Sequence, residues 1–170
     1  MSHVDLSRVP EYYHKYINLA ISDDLKTALE KHQIELISFL KDIPKKKWNY
    51  RYAEGKWSIK EVVQHIIDAE RVFTYRALRF ARKDQTPLPS FDENIFAANS
   101  KADDRSKKDL LKELKAVQAS SAQMFESFDE EQLNQSGIAS EKSTYVKGIT
   151  YIVFGHSLHH KNILKERYLK

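Results

Sequence analysis

Cysteine is absent from this chain of 170 residues, and glycine and proline each occur only four times. The lack of cysteine excludes disulfides and thiolate metal ligands, so any metal would have to be held by histidine, aspartate or glutamate. All-β and loop-rich proteins usually contain far more glycine and proline, and the long stretches rich in Leu, Lys, Glu, Ala, Ile and Gln consist mostly of good helix formers. The composition therefore predicts an all-α fold.

Long apolar runs are also missing. The amino terminus, MSHVDLSRVPEYYHKYINLA, has no apolar segment of the signal-peptide type, and no run approaches the ~18 residues that a membrane span needs. We therefore expect a cytoplasmic protein with no membrane partner. The chain length and the 41% hydrophobic content suit one compact domain, which we expect to cover residues 1–170.

Positive charge is in only slight excess, because 28 basic residues stand against 24 acidic ones. The segment PKKKWNYRY, residues 44–52, interleaves basic and aromatic side chains as single-strand nucleic-acid binders do. The two signs are otherwise too evenly mixed to form a polyanion-binding face, and no RRM, KH or zinc-finger pattern accompanies the segment. We therefore expect no nucleic-acid partner.

Apolar residues at helical spacing mark two helices in the first half of the chain. The first is predicted over residues 23–43, with Ser22 as its N-cap. The second opens with WSIKE, where Ser58 and Glu61 form a capping box, and should run to about Arg82. Both helices have one broad apolar face, which indicates that they pack against a common core.

Two further helices are predicted in the second half, the third from near Ser106 and the fourth from near Gly148. The segment 83–104 reads as a long connection with a helical turn around 93–98, and the segment 129–147 reads as polar and irregular. Connections this long are usually functional or disordered. The pattern predicts a four-helix bundle with long connections between helices 2 and 3 and between helices 3 and 4, and with room for a site at one end.

Three histidines are predicted to point into this bundle. His156 and His160 are four residues apart and follow the same helical stripe as Ile152, so both imidazoles should face inward. His65 lies three residues after Val62, on the apolar face of the second helix. A single buried histidine is usually a neutral ring hydrogen-bonded to a carbonyl or a carboxylate, but three rings from two helices converge here.

One cation could satisfy all three rings, whereas burying them without a common partner would cost desolvation for each. Imidazole is a favoured ligand of both zinc and nickel. We therefore predict a site for Zn or Ni built from His65, His156 and His160. His159 lies about 100° around the helix and is the alternative ligand in place of His160.

Other polar residues have weaker signals. His3, His14 and His32 lie in polar or terminal contexts, and we interpret them as histidines without a metal-binding role. Asp68 and Glu70 follow His65 closely, so either carboxylate could accept the second ring N–H of that ligand. An ion pair on the helix surface would explain the two acids equally well.

The loop segment LPSFDENIF contains the only candidates for a catalytic group. Asp92 and Glu93 could act as a general base, or contact a substrate, if this loop closes over the metal. Asp and Glu are also common in turns, so the segment has an ordinary structural explanation as well. The catalytic residues are otherwise unknown from the sequence.

Two stretches carry a family resemblance. GKWSIKEVVQHIIDAERVFTYRALRFARKDQTPLPSFDEN, followed by YIVFGHSLHHKNILKERYL, resembles the DinB-like superfamily of metal-binding four-helix bundles, from about Tyr12 to the carboxyl end. The resemblance implies that His65, His156 and His160 bind a divalent metal, often zinc or nickel. The family includes thiol-dependent S-transferases, a mycothiol-dependent isomerase and many proteins labelled only as metal-dependent hydrolases.

Three neutral ligands would leave a bound metal with its 2+ charge and an open position for water or a thiol. We therefore expect a hydrolase or a thiol S-transferase with a small-molecule substrate, possible partners being low-molecular-weight thiols. The alternative is a non-catalytic, metal-dependent stress or ligand-binding module. Because DinB-like relatives commonly pair and the segment PEYYHKYINLA has apolar surface to bury, we also expect a homodimer.

Overall fold

The structure is a computed structural model that describes residues 4–21 and 23–170. Within these residues the helices are α1 (His14–Ala20), α2 (Leu25–Asp42), α3 (Ile59–Ala81), α4 (Glu93–Asn99), α5 (Lys107–Glu126), α6 (Glu130–Leu133) and α7 (Val146–Ile163). A π-helical turn continues α7 over Leu164–Tyr168, and short 3-10 turns occupy Leu6–Arg8, Glu11–Tyr13, Lys45–Lys47 and Ala102–Asp104. Two strands, β1 (Ser136–Ala139) and β2 (Lys142–Tyr145), form one antiparallel hairpin.

The four long helices α2, α3, α5 and α7 form a bundle in which both α2 and α3 pack against α5 and α7. Helices α2 and α5 are antiparallel, because Lys107 at the start of α5 donates hydrogen bonds to the carbonyls of Lys41 and Ile43 at the end of α2, at 2.7 Å each. Helices α3 and α5 are parallel, because the long connection between them returns the chain to the end of the bundle at which α3 begins. The predicted all-α four-helix bundle is confirmed.

Side-chain caps explain where the long helices begin. Ser58 and Glu61 form the predicted capping box at the start of α3, which satisfies two backbone N–H groups that the first helical turn leaves free. Helix α5 begins near Ser106 as predicted, and the side chain of Ser106 caps it by accepting a hydrogen bond from the backbone N–H of Asp109. The predicted N-cap Ser22 lies outside the described residues, and the side chain of Asp24 caps α2.

Helix α7 is the central helix of the fold. Every residue from Val146 to Ser157 is buried, on all sides of the helix. A helix that is apolar around its whole circumference belongs in the interior of a protein or in a membrane. No helix formed by residues 4–21 and 23–170 is long and apolar enough to cross a membrane, and α7 is instead surrounded by α1, α2 and α3.

The amino-terminal helix α1, which the periodicity analysis missed, packs on α7. A Cβ atom on Gly155 would lie 1.8 Å from the backbone oxygen of Tyr16, so only glycine allows the two helices to approach this closely. Tyr16 and Ile17 are consequently buried. The apolar surface that suggested a homodimer is therefore largely covered within the chain, although Tyr12 is 62% exposed, and the homodimer stays a prediction.

The predicted irregular segment 129–147 was interpreted wrongly, since it contains α6 and the β1–β2 hairpin. The hairpin turn is formed by Ser140 and Glu141, which have φ angles of 52° and 61°. Two successive residues with positive φ are typical of a tight hairpin turn, but Asn-Gly or Asp-Gly would have signalled it far more clearly. Leu88 is hydrogen-bonded to Ile138 and Ser140, which ties the long connection to the hairpin.

Candidate metal centre

The three predicted histidines meet at one point between α3 and α7. Nε2 of His156 lies 3.1 Å from Nε2 of His65 and 3.1 Å from Nε2 of His160. The possible ligand atoms of the three residues all lie within 4.8 Å of one another. The antiparallel packing of the two helices thus brings together residues that are 91 positions apart in the sequence.

One well-formed hydrogen bond cannot satisfy both of these contacts. A ring nitrogen carries either one hydrogen or one lone pair in the ring plane, so Nε2 of His156 can form one good hydrogen bond but has two close nitrogen neighbours. Nitrogens bound to zinc at about 2.0–2.1 Å in a tetrahedron are about 3.3 Å apart. The observed separations are close to that value, and the donor set therefore fits a single divalent cation.

The protonation of the three rings also fits a metal. Burial lowers the pKa of His65 to about 4. The pKa values of His156 and His160 are lowered well below the ordinary value, first by burial and then by the neighbouring imidazoles. All three rings are therefore neutral at pH 7, which is the form that binds metal ions.

A cavity of about 240 Å³ opens onto the three rings. Aromatic side chains form most of its wall, and the ring centroid of Trp57 lies 4.9 Å from that of His65, while the ring centroid of Tyr16 lies 5.4 Å from that of His156. The remaining lining residues are Tyr12, Tyr13, Ala69, Phe73, Arg76, Phe91, Glu93 and Ser140. Aromatic walls lower the local dielectric constant below that of water, so charges at the base of the cavity interact more strongly than in bulk water.

The two candidate catalytic acids occupy different positions. The carboxylate of Asp92 accepts hydrogen bonds from the backbone N–H groups of Asn94 and Ile95, at 2.8 and 3.1 Å, and so caps α4. Glu93 lines the cavity above the histidines. The capping bonds explain Asp92 structurally, and Glu93 is the acid that can reach a molecule in the cavity.

Neither acid that follows His65 is hydrogen-bonded to it within the described ranges. Asp68 accepts a hydrogen bond from Gln64 at 2.9 Å and lies 3.9 Å from Arg71. Glu70 lies 3.2 Å from Nε2 of His32. The expected contact between one of these carboxylates and the second ring nitrogen of His65 is therefore not formed.

The polar context expected for His32 is not observed, because its side chain is 1% exposed and its partner Glu70 is 2% exposed. The sequence did contain a signal for burial, since His32 lies three residues after Leu29 and four before Leu36, both on the core face of α2. His14 is explained structurally by its Nε2, which donates to the carbonyls of Leu6 and Val9.

His159, the alternative ligand, lies apart from the Nε2 cluster. The ring of His159 lies edge-on to that of Tyr16, with centroids 5.1 Å apart, and its nitrogens are not among the ligand atoms that converge. His3 lies outside the described residues. The structure therefore brings together His65, His156 and His160 and not the alternative set with His159.

The sequence reasoning missed two polar residues of the cavity, Arg76 and Ser140. Arg76 follows His65 by eleven residues, almost exactly three helical turns, so the helical period alone would have placed both on one face of α3. Ser140 had no comparable signal, because it reaches the cavity only through the hairpin turn.

Solved structures share this architecture. YfiT from Bacillus subtilis, described as a probable metal-dependent hydrolase with an unusual four-helix bundle topology, superposes with a TM-score of 0.72 at 14% identity, over 97% of this chain and 91% of YfiT. A mycothiol-dependent maleylpyruvate isomerase superposes with a TM-score of 0.69 at 10% identity, over 83% of this chain and 60% of the isomerase. At these identities the likeness establishes the fold.

Sequence comparison establishes the family. No curated protein sequence matches the chain significantly. The sequence profile of the DinB superfamily, however, matches residues 28–164, which include α3, α7 and the three converging histidines. The match covers most of the chain, and it agrees with the resemblance in the two stretches around His65 and His156. The chain belongs to the DinB superfamily.

Proposed function

We propose that the protein binds one Zn or Ni ion through His65, His156 and His160, and that this centre activates water or a low-molecular-weight thiol toward a small electrophile. The observation that carries the proposal is the pair of 3.1 Å contacts between ring nitrogens that hydrogen bonds cannot both explain. When bound, such a metal lowers the pKa of water or of a thiol at its open position.

The residues of the chain contribute positioning and the exclusion of bulk water. The three imidazoles stand on two rigid, packed helices, which fixes the reacting atoms relative to the cavity. Tyr16, Trp57 and Phe73 form apolar walls that strengthen the attraction between the centre and a developing anion. Glu93, an exposed carboxylate that lines the cavity, is positioned to accept a proton from an entering nucleophile.

An external nucleophile is favoured by what the chain contains. There is no cysteine and no G-x-S-x-G sequence, so the residues offer no recognisable group for covalent catalysis. One structural neighbour is described as a probable metal-dependent hydrolase and the other as a mycothiol-dependent isomerase, so water and a thiol are both reasonable nucleophiles. A cavity of about 240 Å³ suits a small molecule.

The test is a panel of esters and small electrophiles, incubated with metal-loaded protein in the presence and absence of bacillithiol, glutathione or cysteine. Thiol-dependent turnover would identify a transferase, and thiol-independent ester cleavage a hydrolase. The blank is the triple variant His65→Ala, His156→Ala and His160→Ala, and His159→Ala is the matched control that keeps the three converging rings. Equal rates for the metal-loaded protein and the triple variant across the panel would overturn the enzymatic proposal and favour a non-catalytic binding module.

A further inference from the structure

A buried guanidinium shares the cavity with the three imidazoles. Arg76 is 4% exposed and lies on α3, eleven residues after His65. Its Nη2 donates hydrogen bonds to the carbonyl of Pro89 at 2.8 Å and to Oγ of Ser140 at 3.0 Å. The long connection and the hairpin turn therefore hold the guanidinium in a fixed position at the cavity wall.

These partners do not neutralise the charge of Arg76. The carbonyl and the hydroxyl are neutral, and no Asp or Glu of residues 4–21 and 23–170 forms an ion pair with this guanidinium. Tyr13 interacts with it, and the rings of Phe73 and Phe91 have centroids 5.9 and 6.0 Å from Cζ. Arginine is rarely buried without an anion, because removing its charge from water costs several kcal/mol.

Burial lowers the pKa of Arg76. A guanidinium nevertheless keeps its proton in proteins, because its ordinary pKa is above ~12. The cavity therefore has a permanent positive charge in its wall and, in the same wall, three neutral rings that fit a 2+ ion. Two positive centres in one cavity would repel each other, and an anion placed between them would be attracted by both.

We propose that Arg76 binds a carboxylate of the molecule that enters the cavity, so that the ligands of this site are small carboxylates, among them carboxylate-bearing thiols. With Nη2 held by Pro89 and Ser140, the Nη1 and Nε N–H groups remain to donate a charge-assisted hydrogen bond to a carboxylate oxygen. The inference rests on the proposed function only for the metal end of the ligand, because the guanidinium can bind a carboxylate whether or not metal is present.

The first experiment uses metal-free protein and observes the guanidinium directly. The Nε–H signal of Arg76 in a ¹H–¹⁵N NMR spectrum, assigned by its loss in Arg76→Lys, is followed during titration with 3-mercaptopropionate, propionate and 2-mercaptoethanol. We expect both carboxylates to shift the signal and the neutral thiol to leave it unchanged. An Nε–H signal that responds to none of the three would overturn the proposal, and this result is independent of the metal.

The second experiment uses the Co(II)-loaded protein, in which a thiolate bound to cobalt gives a charge-transfer absorption band. We expect 3-mercaptopropionate to bind about 10- to 100-fold more tightly than 2-mercaptoethanol, because a charge-assisted hydrogen bond from Arg76 to the carboxylate contributes a gain in affinity of about that size. Arg76→Met should reduce this ratio to nearly one, and Arg76→Lys should give an intermediate ratio. The affinity for 2-mercaptoethanol should be the same in all three proteins, which also shows that the variants fold.

The two proposals fail in different ways. The same preference for 3-mercaptopropionate in wild type and Arg76→Met would mean that the carboxylate binds the metal, and would overturn the role of Arg76 while leaving thiol binding intact. Absence of the absorption band with every thiol would overturn thiol activation, and the NMR titration would still decide the role of Arg76. If Arg76→Met does not fold, the comparison of wild type with Arg76→Lys decides the ratio.

Discussion

Two groups of histidines lie inside this bundle, and they differ in what surrounds them. His65, His156 and His160 face one another at the base of a cavity, with nitrogens 3.1 Å apart and no carboxylate hydrogen-bonded to any of the three in the described chain. His32 on α2 has its Nε2 3.2 Å from the carboxylate of Glu70 on α3, and both side chains are almost fully buried.

The difference concerns where each group finds its partner. The His32–Glu70 pair joins two helices that are otherwise diagonal in the bundle, so its partner is supplied by the chain itself. The three-histidine cluster has nitrogens directed at a shared point, an arrangement that fits an added cation. We infer that the pair supports the fold and that the cluster supports function.

The largest effect is expected on metal binding in the triple variant His65→Ala, His156→Ala, His160→Ala. Removing all donors should abolish binding, a loss on the order of 10 kcal/mol. Elemental analysis of purified protein and chelator competition measure this loss. Glu70→Leu should retain about one metal ion per folded chain, and loss of the metal in Glu70→Leu would show that the two groups are not independent.

The next largest effect is expected on folding in Glu70→Leu, which leaves His32 buried without its partner. Breaking a buried pair by removing one member typically costs about 3–5 kcal/mol of unfolding free energy. The double variant His32→Leu, Glu70→Leu should be more stable than the single variant, because no polar group is then left alone. Urea denaturation measures both values. A double variant less stable than Glu70→Leu would contradict the pairing.

The stability of the metal-free protein should depend on pH through the three-histidine cluster. The folded pKa of His65 is about 4, against an ordinary value of 6.5, so the unfolded chain binds more protons between these values. The stability of the metal-free protein should therefore fall as pH decreases from about 6.5 to 4, by about 3 kcal/mol from His65 alone. Denaturation of metal-free wild type at several pH values tests this. The triple variant should lose most of the dependence in this window, and an unchanged slope would assign it to other groups.

The smallest effect is expected for His159→Ala. This ring contacts the edge of Tyr16 but contributes no nitrogen to the cluster, so the variant should keep its metal and lose about 1 kcal/mol of stability or less. Elemental analysis and thermal denaturation are sufficient to measure both properties. Loss of the metal here, with retention in His160→Ala, would exchange the roles of the two adjacent residues.

Local patterns predicted much of the fold. The capping box at Ser58 and the helical periodicity gave the start of α3 and its inward face, and the i, i+4 spacing placed His156 and His160 on one side of α7. Helix α1 was missed, since its packing depends on the contact between Gly155 and Tyr16 rather than on its own seven residues. Helices this short are marginal without tertiary contacts.

Helix propensity, capping and a period of 3.6 residues were sufficient to predict the helical class, the long helices and the inward direction of His65, His156 and His160. The packing of the helices establishes which groups meet: three imidazole nitrogens at one point, Glu70 against His32, and Arg76 held by Ser140 in the same cavity. Helical period specifies the face on which a side chain lies. The partner opposite that face depends on how helices distant in sequence pack, and no local pattern encodes that packing.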